Sequence, residues 1–168
     1  PMVEIGDRPI LWHIMKIYSA HGFNDFVILC GYKSHVIKNF FANYSLANCD
    51  VSFDLKNNGM TIHRNESEDW NVTLVETGLN TMTGGRIRRA AKYITSDTFL
   101  CTYGDGVSDV DISGSVEFHR SHGCLATVTA VQPPGRFGAF ALSSDATRIE
   151  AFKEKPQALP GKRIPIVQ

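Results

Sequence analysis

The sequence predicts an α/β fold: a mostly parallel sheet with helices on both faces. Short β-rich runs alternate with helical periodicities through residue 123, the pattern of strands joined by crossover helices. Several predicted strand-to-loop corners pair Gly with polar or charged residues: Gly31-Tyr32-Lys33, Thr77-Gly78, Thr83-Gly84-Gly85-Arg86, Gly104-Asp105-Gly106 and Gly135-Arg136-Phe137-Gly138. Strands that feed crossover helices end on the same face of a parallel sheet, so these corners are expected to gather into one crevice. After residue 123 the strand-like runs lie closer together, which predicts an antiparallel edge or hairpin.

Taken in order, Pro9 opens a helical pattern in which Ile10, Ile14, Ile17 and Tyr18 share a face and Gly22 is the stop. Phe26–Cys30 is a short β-rich run. Ser34 is expected to cap a helix through Val36, Ile37, Phe40 and Phe41. Val51–Leu55 alternates like a half-buried strand, and Asn57-Asn58-Gly59 turns it back along Met60–His63 as a hairpin. Residues 64–69 form a polar loop. Val72–Val75 is another strand. Thr83 is expected to cap a helix over residues 86–94 whose inner face carries Ile87, Ala90, Ala91 and Ile94. Phe99–Thr102 reads as a buried strand ending at Asp105, followed by a helix near 115–121 and strands over 124–131, 137–142 and 149–152.

The chain has 168 residues, enough for one domain with a sizeable core, and its 43% hydrophobic and 20% charged content is that of a globular protein. Seventeen basic residues balance seventeen acidic ones, which argues against a nucleic-acid or membrane-surface partner. No apolar run is long enough to span a bilayer. Cys30, Cys49, Cys101 and Cys124 form no CxxC pair and read as reduced thiols in a cytoplasmic protein, with Cys30 and Cys101 as small buried hydrophobes. Asn43, Asn65 and Asn71 begin Asn-x-Ser/Thr triplets, which carry meaning only in a secreted chain.

Asp105, held between two glycines at a predicted strand end, is the leading candidate for a metal carboxylate, because Mg²⁺ takes one or two carboxylates together with phosphate oxygens and water. The plainer alternative is a turn aspartate. At Thr83–Arg86 the free amides of a helix start suit an anion or a base carbonyl, the glycines remove bulk, and Arg86 adds a bidentate fork. Arg88, Arg89 and Lys92 read as a solvated face. Glu154-Lys155 is either surface charge or a sugar-phosphate contact. His119 and His122 lie three apart without a third ligand nearby and read as surface histidines, and Trp12 and Trp70 as packing. No nucleophile elbow, Walker A loop or dinucleotide GxGxxG occurs.

These stretches together resemble the sugar-phosphate nucleotidyltransferases. The likeness is carried by residues 1–6, Pro9-Ile10-Leu11-Trp12-His13-Ile14-Met15, Cys30-Gly31-Tyr32-Lys33, Phe41-Ala42-Asn43-Tyr44, Trp70–Val75, Thr77-Gly78, Met82-Thr83-Gly84-Gly85-Arg86, Thr102-Tyr103-Gly104-Asp105-Gly106, Pro133–Ala139 and Glu154-Lys155-Pro156. The resemblance implies a Rossmann-like three-layer nucleotidyltransferase fold with a mostly parallel mixed sheet. It implies Mg²⁺-dependent attack by the phosphate of α-D-glucose 1-phosphate on the α-phosphorus of CTP, releasing pyrophosphate and CDP-glucose, within O-antigen and lipopolysaccharide sugar synthesis. It implies Asp105 as metal ligand and, with Lys155, catalytic residue. Thr81, Gly84, Gly85, Arg86 and Gly104 fall on its nucleotide side. Arg136, Gly138, Glu154 and Lys155 fall on its sugar-phosphate side. The implied partners are those two small molecules, with a homo-oligomer expected of the complete protein.

The family's Gly-rich triphosphate loop precedes the position of Pro1, and its Asn-Gly-Gly strand and second metal Asp follow Glu-Lys-Pro. The chain is therefore expected to be a domain truncated at both ends, with residues 1–157 a partial nucleotidyltransferase domain and 158–168 a divergent tail. One alternative is a non-catalytic fragment that keeps the fold and weak nucleotide or sugar-phosphate binding. Another is a glycosyltransferase using Asp109-Val110-Asp111.

Overall fold

The computed structural model describes residues 1–131, 139–145, 147–153 and 166–167. The chain divides into two compact units, Pro1–Cys101 and Thr102–Gln168.

The first unit is organised by one parallel pair. Strand β1 (Glu4–Ile5) and β2 (Arg8–Pro9) form a short antiparallel ribbon that leads into α1 (Ile10–Ala20). Pro9 at the helix entrance costs no hydrogen bond, because the first-turn amides have no intrahelical acceptor. Beyond α1, Gly22 takes φ +85°, a left-handed geometry that Gly enters freely. Strand β3 (Asp25–Cys30) follows, then α2 (Ser34–Ala42), α3 (Tyr44–Ala47), the hairpin strands β4 (Cys49–Asp54) and β5 (Gly59–Asn65), and β6 (Asn71–Glu76). β6 returns parallel to β3 in a register running from Asp25 opposite Asn71 to Cys30 opposite Glu76. The segment ends with α4 (Thr83–Ala90) and a 3₁₀ turn at Ala91–Tyr93.

The core lies where α1 and α2 meet this pair. Leu11, Met15, Cys30 and Ile37 are buried, with Phe26, Ile28, Phe41, Trp70, Val72 and Leu74 packed around them. Met15 is 2% exposed, and burying a side chain of that size stabilises by about 1.5–3 kcal/mol. Trp12 and Trp70 are packing residues, their rings 6.2 Å apart, as the sequence predicts. Trp12 Nε1 donates to the Tyr44 hydroxyl at 2.6 Å, and that hydroxyl donates in turn to Glu68 Oε2. Burial, followed by the bond to Glu68, pushes the Tyr44 phenol up to about 12.

In the second unit α5 (Ile112–His122) starts at Asp111, whose carboxylate accepts from the Gly114 amide at 3.0 Å, and stops at Gly123 with φ +65°. Strands β7 (Ala130–Val131), β8 (Ala139–Leu142), β9 (Ile149–Lys153) and β10 (Ile166–Val167) form a sheet of order β7-β10-β8-β9 with antiparallel neighbours. The predicted antiparallel hairpin is thus β8–β9. β10 comes from the stretch read as a tail, whose residues 158–165 lie outside the described ones.

Several expectations change. Residues 99–102 form no strand, and Phe99 and Leu100 are exposed, at 48% and 39%. β-propensity expresses a fit to a half-buried pleated surface, and among the described residues no neighbouring strand supplies one here. For the same reason residues 124–129 form no strand, Leu125 stands fully exposed, and Cys101 is exposed rather than buried. The caps also differ. Ser34 and Thr83 each form the first helical residue, not the cap, and neither helix has a side-chain cap. Lys33, in the left-handed region at φ 53°, turns the chain into α2, and extended Met82 does so for α4. α4 consequently begins three residues earlier than predicted.

Candidate nucleotide-side site at the ends of the parallel strands

Strands β3 and β6 end side by side, and three donors converge on the last carbonyl of β3. Cys30 O accepts from the Thr77 amide at 2.9 Å, from Thr77 Oγ1 at 2.6 Å and from Arg86 Nη1 at 3.2 Å. Thr77 is wholly buried, and its hydroxyl, having donated to Cys30, accepts from Arg86 Nη1 at 2.6 Å. Arg86 Nη2 reaches on to Leu79 O at 3.1 Å. Its guanidinium thus ties the ends of two strands to the following loop, and among the described residues Nε and one Nη2 proton of its five donors meet no acceptor.

Arg89, one turn along α4, grips the same loop from the other side. Its Nη1 donates to Thr77 O at 2.5 Å and to Thr81 Oγ1 at 2.8 Å. Glycines make room for both cations. A Cβ on Gly31 would stand 2.4 Å from Arg86 Nη1. Gly78 has φ +88°, and a Cβ there would stand 2.7 Å from Arg89 Nη1. A Cβ on Gly85 would stand 2.9 Å from Thr81 Cγ2, whereas Gly84 faces open space. The first turn of α4, with no side-chain cap and an open glycine, leaves amide donors for an anion or a carbonyl.

Of the residues singled out in the sequence, Thr81, Gly85 and Arg86 therefore come together around this loop, with Gly84 at the open helix start. Arg89 is exposed, as the solvated-face reading expects, and its guanidinium in addition forms half of a two-arginine clasp on the loop. The signal was present in the three-residue spacing of Arg86 and Arg89, which puts both on one side of a helix. Thr77, the hub, was visible only as part of a Thr-Gly corner.

In the second unit, Gly104 and Asp105 form a turn, with Gly104 half-buried and Asp105 exposed. Among the described residues the Asp105 carboxylate has no hydrogen-bond or ion-pair partner, so both oxygens are open to a ligand. A single free carboxylate fits Mg²⁺, which completes its octahedron with phosphate oxygens and water. No group of three or more His, Cys, Asp or Glu side chains able to hold a metal occurs among the described residues. His119 Nδ1 and His122 Nε2 each lie 2.8 Å from Thr127 Oγ1. In the Asp109-Val110-Asp111 string, Asp111 caps α5, its Oδ1 accepting from the Gly114 amide. Arg136, Gly138, Glu154 and Lys155 lie outside the described residues.

An α/β chain whose glycine-lined donors cluster beyond the ends of parallel strands is built like a nucleotide-handling protein. The profile of the nucleotidyl transferase family matches residues 1–164, and the chain belongs to that family. It is 56% identical over 158 residues to the glucose-1-phosphate cytidylyltransferase of Salmonella typhi, covering 94% of this chain and 61% of that protein. It is 38% identical over 155 residues to a probable glucose-1-phosphate cytidylyltransferase of Bacillus subtilis, covering 92% of this chain and 60% of that one. Among solved structures, HddC from Yersinia pseudotuberculosis complexed with GMP-PN superposes with a TM-score of 0.65 at 19% identity, over 99% of this chain and 62% of that one. That likeness establishes the Rossmann-like nucleotidyltransferase fold. The chain spans about three-fifths of the length of these cytidylyltransferase relatives.

Proposed function

We propose that this chain belongs to an enzyme that transfers a cytidylyl group from CTP to glucose 1-phosphate, forming CDP-glucose and pyrophosphate. The observation that carries the reading is the 56% identity to the Salmonella typhi enzyme over 158 residues. The two-arginine clasp below an open helix start supports it from the side of chemistry. A phosphate oxygen of the sugar phosphate attacks the α-phosphorus of CTP, the bond from that phosphorus to the bridging oxygen of the β-phosphate breaks, and pyrophosphate leaves. Such a transfer asks a protein for in-line positioning and charge stabilisation rather than covalent help.

In this reading Thr81, the amides at Gly84 and Gly85, the remaining Arg86 donors and Gly104 contact the nucleotide. Asp105 would hold Mg²⁺, which would supply charge neutralisation to the phosphates. Arg136, Gly138 and Glu154 bind the sugar phosphate, and Lys155 pairs with the attacking phosphate. A place in O-antigen sugar synthesis, a cytoplasmic setting and a symmetric homo-oligomer belong to the same proposal. Its substrates are soluble small molecules, and no helix among the described residues is long and apolar enough to cross a membrane.

The test is pyrophosphate release from CTP plus glucose 1-phosphate with Mg²⁺, alongside calorimetric titration of CTP. Release with CTP in preference to UTP and GTP supports the reading. Binding without release reduces this polypeptide to a nucleotide-binding domain, and absence of CTP binding overturns the reading.

A further inference from the structure

We propose that Arg89 is a positioning residue: it holds the loop 77–81 in its ligand-ready shape and leaves the Thr81 hydroxyl as a donor for an acceptor atom of the nucleotide. The inference deepens the reading above and rests on Thr81 lying on its nucleotide side. A threonine hydroxyl has one proton and two lone pairs. Arg89 Nη1 occupies a lone pair of Thr81 Oγ1 at 2.8 Å, and the hydroxyl proton meets no acceptor among the described residues. An oxygen bound by a cation is also a stronger donor, because the two bonds polarise each other. Half-buried Thr81 thereby keeps its proton for an acceptor, such as a carbonyl or phosphate oxygen or an unprotonated ring nitrogen.

The same Nη1 binds Thr77 O at 2.5 Å, so one nitrogen spans both ends of the loop. Between them Gly78 at φ +88° leaves the space that a Cβ would take from Arg89 and from Thr81, at 2.7 and 3.0 Å. Thr77 is itself pinned by Arg86 through its hydroxyl. Loss of Arg89 therefore frees the Thr81 end of the loop and leaves the strand ends clasped.

The experiment is a double-variant cycle of Arg89→Gln and Thr81→Val, with CTP affinity read by calorimetry in the presence of Mg²⁺ and Thr81→Ser as the conservative rescue. Each single variant should weaken CTP binding about tenfold, the size of one charge-assisted hydrogen bond. The double variant should be no weaker than the worse single variant, and Thr81→Ser should bind like the parent chain. Additive losses overturn the proposal, because they mean Arg89 touches the nucleotide directly. Backbone order parameters from NMR relaxation give a nucleotide-free readout. Arg89→Gln should lower the order parameters of residues 78–82 to below about 0.6 and leave β3 and β6 at about 0.85, and unchanged loop order parameters overturn the positioning role. If the parent chain binds no CTP, the nucleotide reading and the ligand half of the inference fall together, while loop order still decides the positioning half.

Discussion

Replacing Thr77 by Val should destabilise the first unit by about 2.5–4 kcal/mol, and the size follows from the two hydrogen bonds that its hydroxyl makes. Valine has nearly the shape of threonine, so the substitution opens no cavity. It removes the neutral bond from Thr77 Oγ1 to Cys30 O at 2.6 Å, worth about 1 kcal/mol. It also removes the charge-assisted bond from Arg86 Nη1 at 2.6 Å, worth about 1.5–3 kcal/mol. Neither partner is orphaned, since Cys30 O keeps the Thr77 amide and Arg86 keeps Cys30 O and Leu79 O. This keeps the loss within the sum of the two bonds. Trp12 and Trp70 both lie in the first unit, so their fluorescence during urea unfolding reports on it. The midpoint should fall with an unchanged slope, and Thr77→Ser should recover most of the loss. A cost below about 0.5 kcal/mol, or a serine variant as weak as valine, would refute the hub role assigned to this hydroxyl.

Three further outcomes follow from the same geometry. Gly31→Ala puts a Cβ into the Arg86 guanidinium and should lower the urea midpoint by as much as Arg86→Gln, with no added loss when the two are combined. The Tyr44 phenol, raised to about 12, favours the folded state while protonated. Its contribution is complete below the unfolded value near pH 10 and is lost as pH rises through about 12, so tyrosinate absorbance should place one tyrosine last to ionise and Tyr44→Phe should abolish that step. Asp105→Asn removes an exposed carboxylate that has no partner among the described residues. The melting temperature should stay within about 1 °C of the parent, while the Mg²⁺-dependent part of CTP binding is lost.

The legible parts of the fold are those whose signals are local and mutually consistent. α1 follows from its apolar spacing after Pro9, the β4–β5 hairpin from Asn57-Asn58-Gly59, and β3 and β6 from compact β-rich runs. Residues 99–102 and 124–129 carry the same β-rich composition and form no strand, because a ladder requires a neighbour and composition says nothing about whether one is in place. The helix starts are less legible, because Ser34 and Thr83 are favourable caps by type while their backbones already belong to the first turn. In the candidate site, the glycines and Arg86 stand out as an unusual corner. Arg89 stands out less, its only signal being the three-residue spacing from Arg86, since an exposed basic residue in the last turn of an amphipathic helix has the composition of a solvated face and its acceptors come from a loop eight to twelve residues away.

Nucleotide docking against the loop 77–81 and the start of α4 is the central claim. Amide-resolved NMR titration of the chain with CTP and Mg²⁺ measures this directly. Saturable shifts at Thr81, Gly84 and Gly85 are the expected result. Saturable shifts confined to other residues, or no shifts at all, would contradict it.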